Sequence, residues 1–211
     1  MKIEKFSIKG NSAINEDWVE ILHSNEDVVV SVSDGMGGLD CGDIASRIVS
    51  KSVVEYINHF RRSEKNEYLL FKAMQYADER LAEEMEKRRV QMGAATLAAI
   101  ISPTHLCFCW QGNVRLYIEY KGICNLLSKD HVLDTGYGEL RLTRCIKGQG
   151  LRPSLPFGQR ALDKGYRVYI CTDGLYAQNA ALLSTSSDIQ NIQDKVVETE
   201  DDATLVMVEI D

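Results

Sequence analysis

Two amphipathic helical segments, set into a chain that otherwise reads as strands, leave few folds open. From Asp43 to about Phe60, Ile44, Ile48, Val49, Val53 and Ile57 recur at helical spacing. From Glu67 to about Arg89, Leu70, Met74, Ala77, Leu81 and Met85 do the same. Each helix therefore presents one stripe to bury. Strand patterns precede the pair at 3–9, 17–22 and Val28 to Val32, and follow it at 96–101, 105–111, 114–120 and 123–128, with Lys121-Gly122 as a hairpin turn. Tyr166 to Cys171 reads as a further strand, 175–198 as partly helical, and Ala203 to Ile210 as the last strand. Strict strand–helix alternation is missing. That disfavours a doubly wound parallel sheet and favours an α+β domain of mainly antiparallel sheets with helices on their faces.

The length of 211 residues suits one domain with a real core. Only three prolines occur, so no Pro-rich linker divides the chain. An apolar fraction of 45% is too high for a disordered tail. The formal charge of −7 argues against a nucleic-acid partner, which needs a basic face. No stretch approaches the roughly 18 apolar residues of a membrane span, and Met1 to Gly10 lacks a signal-peptide core. The expectation is a soluble cytoplasmic protein with no membrane partner. None of the six cysteines forms a CxxC pair, and the four histidines never fall at metal-ligand spacing. The cysteines read as small buried hydrophobes in a reducing compartment.

The chemistry is suggested by where certain acids fall. Asn15-Glu16-Asp17 precedes the strand at Trp18; Asp34 follows VVVSVS and opens Asp34-Gly35-Met36-Gly37-Gly38; Asp173 follows YRVYICT and precedes Gly174; Asp201-Asp202 precedes ATLVMVEI. One DG after a strand is usually a turn. Four strand ends bearing acids are harder to explain that way. Carboxylates gathered at sheet ends repel one another unless a cation neutralises them, and all-oxygen donors suit Mg²⁺ or Mn²⁺.

The ordered segments NED, SDGMGG with GDIAS, MGAAT, GNVR, KDH, LTR, CTDGL and DDATLV run from about residue 6 to 210. Together they resemble the PP2C (PPM) family of metal-dependent Ser/Thr protein phosphatases, in a compact bacterial form. The resemblance implies a four-layer α-β-β-α sandwich spanning residues 1–211 as a single domain. It implies two divalent ions, Mn²⁺ or Mg²⁺, with Asp34 bridging them, Glu16 and the Gly35 carbonyl on one, and Asp173 and Asp201 on the other. Asp17 would orient water. The implied reaction is hydrolysis of phosphoserine or phosphothreonine in a protein substrate by a metal-bridging hydroxide, opposing a Ser/Thr kinase.

The chain departs from the family pattern in several places. Ser12 stands where the family usually has a phosphate-gripping Arg, which leaves Lys9, Arg141, Arg144 or Arg152 as substitutes. Asn113 replaces an acid associated with a third, weaker metal site, so that site is doubtful. Residues 132–141 are too few for the family's mobile flap, which must shrink to a short connection. Met36 stands where some members have His. Asp202 replaces a common Asn, and either tightens metal binding or is solvated at a strand entry. The lost Arg and flap motivate an alternative, a weak or inactive phosphoprotein-binding module. The open cleft motivates another, a small-molecule phosphomonoesterase.

Overall fold

The computed structural model describes residues 1–24, 27–36, 41–61, 65–136, 140–151, 154–179, 181–185, 188–196 and 199–211. The pivotal strand is β3 (Val28–Gly35), flanked by β2 (Asp17–His23) and β4 (Ala94–Ile101). Both of its faces are covered, which explains the near-continuous VVVSVS run. Val28, Val30 and Val32 enter the core between the two sheets, whereas Val29 meets the helical layer. Ser33 Oγ shares hydrogen bonds with Ser50 Oγ (2.7 Å) and Thr96 Oγ1 (3.0 Å), so the hydroxyls buried beneath the first helix are satisfied.

That helix, α1 (Gly42–Phe60), and α2 (Asn66–Arg88) form the hairpin that covers the outer face of this sheet. Val49, Val53 and Ile57 of α1 are buried, as are Leu70, Met74, Ala77, Leu81 and Met85 of α2. Beyond β4 come β5 (His105–Gln111), β6 (Arg115–Tyr120), β7 (Ile123–Leu126), the small hairpin β8 (Val132–Asp134) and β9 (Leu140–Leu142), and β10 (Phe157–Ala161). The chain ends with β11 (Arg167–Cys171), the short helices α3 (Asp173–Asn179), α4 (Leu182–Thr185) and α5 (Ile189–Gln193), and β12 (Ala203–Glu209). With β1 (Lys2–Ile8), these strands make two five-stranded sheets, ordered β1-β12-β11-β6-β7 and β10-β5-β4-β3-β2. Every pairing is antiparallel.

Leu97, Phe108, Leu116, Ile118, Val168, Ile170, Val206 and Val208 fill the space between the sheets. On the far side, Leu175, Leu183, Ile189 and Ile192 pack against Tyr169, Cys171, Leu205 and Met207. The result is the expected four-layer α-β-β-α sandwich. Burial pushes the thiols of Cys109 and Cys171 far up, which leaves them inert packing groups. No helix among the described residues is long and apolar enough to cross a membrane.

Two differences from the sequence reading concern edges. The Val28–Val32 strand extends to Gly35, because Asp34 and Gly35 still pair with Ala95 and Ala94. Strand β10 has no alternation in its sequence: FGQRA carries one large apolar side chain and mostly exposed positions, as an edge strand can. Its Gly158 is required by packing, since a Cβ there would lie 2.2 Å from the Phe108 ring.

The segment between β9 and β10 is fastened to the helical layer by Asp78 of α2. This buried carboxylate accepts from the amides of Lys147 (3.2 Å), Gly148 (2.7 Å) and Gly150 (2.7 Å). Ile146 and Ala94 exchange two further backbone bonds of 2.9 Å each. Replacing Asp78 by Ala leaves three amides without their acceptor. Asp78→Ala is expected to lower stability by about 2 kcal/mol or more in urea unfolding, whereas an exposed control such as Glu79→Ala should change it little.

Candidate functional site

Antiparallel pairing carries the acids to one end of the sandwich. Strand β2 begins where β3 finishes, so Asp17 and Asp34 stand directly opposite one another. In the second sheet β11 ends at Cys171, opposite both Arg115 at the start of β6 and Leu205 near the start of β12. Asn113, Asp173 and Asp201 therefore emerge together. Asp34, Gly35, Asn113, Asp173 and Asp201 line one cleft of about 580 Å³.

Like charges placed this close resist ionisation. Burial, then Asp17, Asp173 and Asp201, hold the Asp34 carboxyl well above the usual carboxylate range. Asp17, 6% exposed, is raised well above that range, first by burial and then by Asp202 and Asp173, against hydrogen bonds from Thr204 and Thr172. Asp173 is raised by burial and Asp201, while its bond with Asp34 works the other way. The contact between the two carboxyls thus pushes Asp34 up and Asp173 down. Glu16 is raised by burial, Asp202, Asp43 and Asp201, and only the Gly42 amide at the start of α1 opposes this.

Several oxygens remain without partners. Thr172 Oγ1 donates to Asp17 Oδ2 (2.8 Å), and Asn113 Nδ2 donates to Asp173 Oδ2 (2.8 Å). Asp17 Oδ1, Asp173 Oδ1 and Asn113 Oδ1 are buried and accept no hydrogen bond. Orphaned, mutually repelling oxygens fit a divalent cation of the Mg²⁺ or Mn²⁺ kind. Among the described residues, no three acidic, His or Cys side chains close on a single point. Asp173 is instead held by Asn113.

Glycines let the backbone approach. A Cβ on Gly35 would lie 2.3 Å from the Gly42 carbonyl oxygen, and one on Gly42 would lie 2.5 Å from Glu16 Oε1. Gly174 has its Cβ position 2.3 Å from the Asp202 carbonyl oxygen. Gly37 and Gly38, singled out in the same turn, lie outside the described residues.

The reading of Asp202 as solvated at a strand entry needs correcting. The residue is 4% exposed, so it is not solvated, and its carboxylate is occupied by backbone. Oδ1 accepts from the Gly10 amide (2.8 Å) and Oδ2 from the Glu16 amide (2.6 Å). Asp202 thus ties the β1–β2 connection to the entry of β12. Other supports gave little sequence signal. Arg115 makes a two-nitrogen bond to Asp130 and lies 3.6 Å over the Tyr176 ring, all at the cleft wall. Arg115 and Asp130 belong to the GNVR and KDH segments, but nothing local marks Tyr176.

The cations weighed in place of Ser12 separate. Lys9 Nζ donates to the Ser12 carbonyl, and Arg144 donates to the Ser154 carbonyl (3.0 Å). Arg141 lines the acid cleft beside Met36 and Leu142. Arg152 lies outside the described residues. His131 is structural: its Nδ1 accepts from the Gly112 amide, and its ring stacks on Trp110.

The family model for protein phosphatase 2C matches residues 7–209. A putative protein phosphatase of Mycoplasma genitalium is 22% identical over 188 residues, covering 77% of this chain and 72% of that protein. The serine/threonine phosphatase PstP/Ppp of Mycobacterium tuberculosis superposes with a TM-score of 0.81 at 18% identity, covering 100% of this chain and 98% of that one. A structure of the PstP catalytic domain in complex with two manganese ions gives 0.78 at 19% identity, covering 99% and 97%.

The raised carboxyls fix a pH dependence for the metal-free protein. An acid whose folded pKa lies above its unfolded value contributes stability below the unfolded value and loses it as pH rises through the folded one. Melting in EDTA should therefore occur at lower temperature at pH 8 than at pH 5. Asp34→Asn should raise the pH 8 melting temperature by roughly 2–4 °C per kcal/mol of repulsion removed, with a smaller gain at pH 5. An equal gain at both values would show that Asp34 is ionised throughout.

Proposed function

The chain belongs to the protein phosphatase 2C family, and on that premise we propose that it is a metal-dependent protein serine/threonine phosphatase whose residues 1–211 act as one catalytic domain. The observation that carries this reading is the pair of orphaned oxygens, Asp17 Oδ1 and Asp173 Oδ1, beside a carboxyl of Asp34 that cannot readily ionise alone. In the proposed arrangement Glu16, Asp34 and the Gly35 carbonyl hold one divalent ion, and Asp34, Asp173 and Asp201 the other. Such ions supply neutralisation of a phosphate dianion and acidification of water near neutral pH. The two manganese ions of the PstP complex support divalent ions here.

The chain's own groups do the positioning. Thr172 fixes Asp17 through Oδ2, so Oδ1 is left to accept a hydrogen bond from water and orient it. Asn113 donates through Nδ2 to Asp173 and adds no charge, so its open Oδ1 would offer a third ion only a neutral oxygen. Arg141, on β9 at the cleft, is the cation proposed to grip the substrate phosphate in place of the residue lost at Ser12. Arg115 also lines the cleft, where Asp130 is its partner. The hairpin β8–β9 and its neighbouring loop are proposed as what remains of the family's flap. The substrates are proposed to be phosphoproteins, with an opposing kinase as their source.

Purified protein should release phosphate from p-nitrophenyl phosphate and a phosphothreonine peptide with Mn²⁺ or Mg²⁺, and release none in EDTA. Asp173→Ala should lower turnover about 100-fold or more. No metal-dependent release from either substrate would leave the binding-module reading. Release from sugar phosphates alone would favour the metabolite reading.

The Arg141 assignment has its own test. Arg141→Ala should raise KM for the phosphopeptide about tenfold, the effect of one charge-assisted bond, with a smaller change in kcat. An unchanged KM would assign the grip to another group.

A further inference from the structure

A second cleft, of about 550 Å³, adjoins the acid-lined one and shares Met36 and Leu142 with it. Its chemistry is the opposite. Arg144, Lys147, Gln111 and Gln149 line it, and no carboxylate does among the described residues. In a chain with 31 acids and 24 bases, a cleft whose described lining holds two cations and no acid is a local reversal of sign.

The wall carrying the cations is rigidly built. Asp78 holds three amides of the 147–150 turn. Ile146 is bridged to Ala94, and the Thr143 amide donates to the His131 carbonyl (2.8 Å). The Asp78 charge is buried and already occupied by those amides. Lys147 is exposed, and its Nζ makes no hydrogen bond or ion pair with a described residue. Arg144 is partly exposed, with Nη1 anchored on the Ser154 carbonyl, an anchor that places the guanidinium without neutralising it.

We propose that this cleft is a substrate subsite that receives an acidic side chain, Asp or Glu, near the phosphorylated residue of the substrate protein, with Arg144 and Lys147 as its specificity-determining groups. The proposal rests on the phosphatase reading of the neighbouring acid cleft. A peptide whose phosphate sits by Asp34 and Asp173 would pass Met36 and Leu142 to reach the cations. A carboxylate there pairs with two cations on a pre-positioned wall, whereas a lysine meets like charge. The preference belongs to the residues around the phosphate, so it is invisible to p-nitrophenyl phosphate.

The test compares three phosphothreonine peptides of equal length, with Glu, Ala or Lys two to four residues to either side of the phosphothreonine. The full chain with Mn²⁺ should show kcat/KM about tenfold higher for the Glu peptide than for the Lys peptide. Lys147→Glu, a change on an exposed side chain, should bring that ratio to about 1 or invert it. Arg144→Gln should reduce it independently. Equal kcat/KM for all three peptides in the wild type, or a ratio untouched by Lys147→Glu, overturns the subsite while leaving the phosphatase reading intact. If no substrate is turned over, the phosphatase reading fails by itself. Fluorescence polarisation of labelled Glu and Lys peptides then decides the subsite: tighter binding of the Glu peptide, lost in Lys147→Glu, supports it, and equal binding removes it.

Discussion

The rest of the structure is arranged around a repulsion. Asp17 and Asp34 face one another across adjacent strands, and the second sheet brings Asp173 and Asp201 to the same end. Protein interiors rarely tolerate such a gathering, because each carboxylate raises the cost of ionising the next. The fold does not disperse the charges. It supplies them with few side-chain donors, among them Thr172 on one oxygen of Asp17 and Asn113 on one oxygen of Asp173. The remaining oxygens stay open, and the sandwich around them must be stable enough to absorb the strain. Its core of branched aliphatics between the sheets, with helices closing both outer faces, provides that reserve.

The burial of β3 on both sides links core and cleft. A strand exposed on one face would let Asp34 relax toward water, but Ser31 and Ser33 lie beneath α1 and Val32 lies between the sheets. Gly35 and Gly42 then allow α1 to start against Glu16, so the first amide of a 19-residue helix faces an acid. Helix, strand and cleft are consequently one mechanical unit, and displacement of α1 would be felt at Glu16.

Much of this was legible in the sequence, for identifiable reasons. The helical hairpin announced itself because its stripes are long and periodic. The acids stood out because they fall beside glycines at the ends of apolar runs, where sheet topology must place them at an end. Edge strand β10 was illegible because mostly exposed residues carry no alternation. The supports were illegible because their partners are remote: Asp202 reaches the Gly10 and Glu16 amides across 192 and 186 positions, and Thr172 reaches Asp17 across 155. No local pattern encodes such pairs. Ser12, read from the sequence as a loss, uses its hydroxyl locally, donating to the Ile14 carbonyl.

That connection has a modular character. Gly10 and Asn11 are fastened to the start of the last strand by the Asp202 carboxylate and the Glu200 carbonyl, and Glu16 is fastened by Asp202 again. The four positions from Ser12 to Asn15 span these anchors as an exposed or half-exposed arch. Asn15, at one foot, accepts from the Asp17 amide (2.9 Å) and donates to Ser7 Oγ (2.9 Å), so Ser12 to Ile14 are the positions that stand clear of the acids. Those three positions can therefore be exchanged as an insert, while the groups they border keep their places.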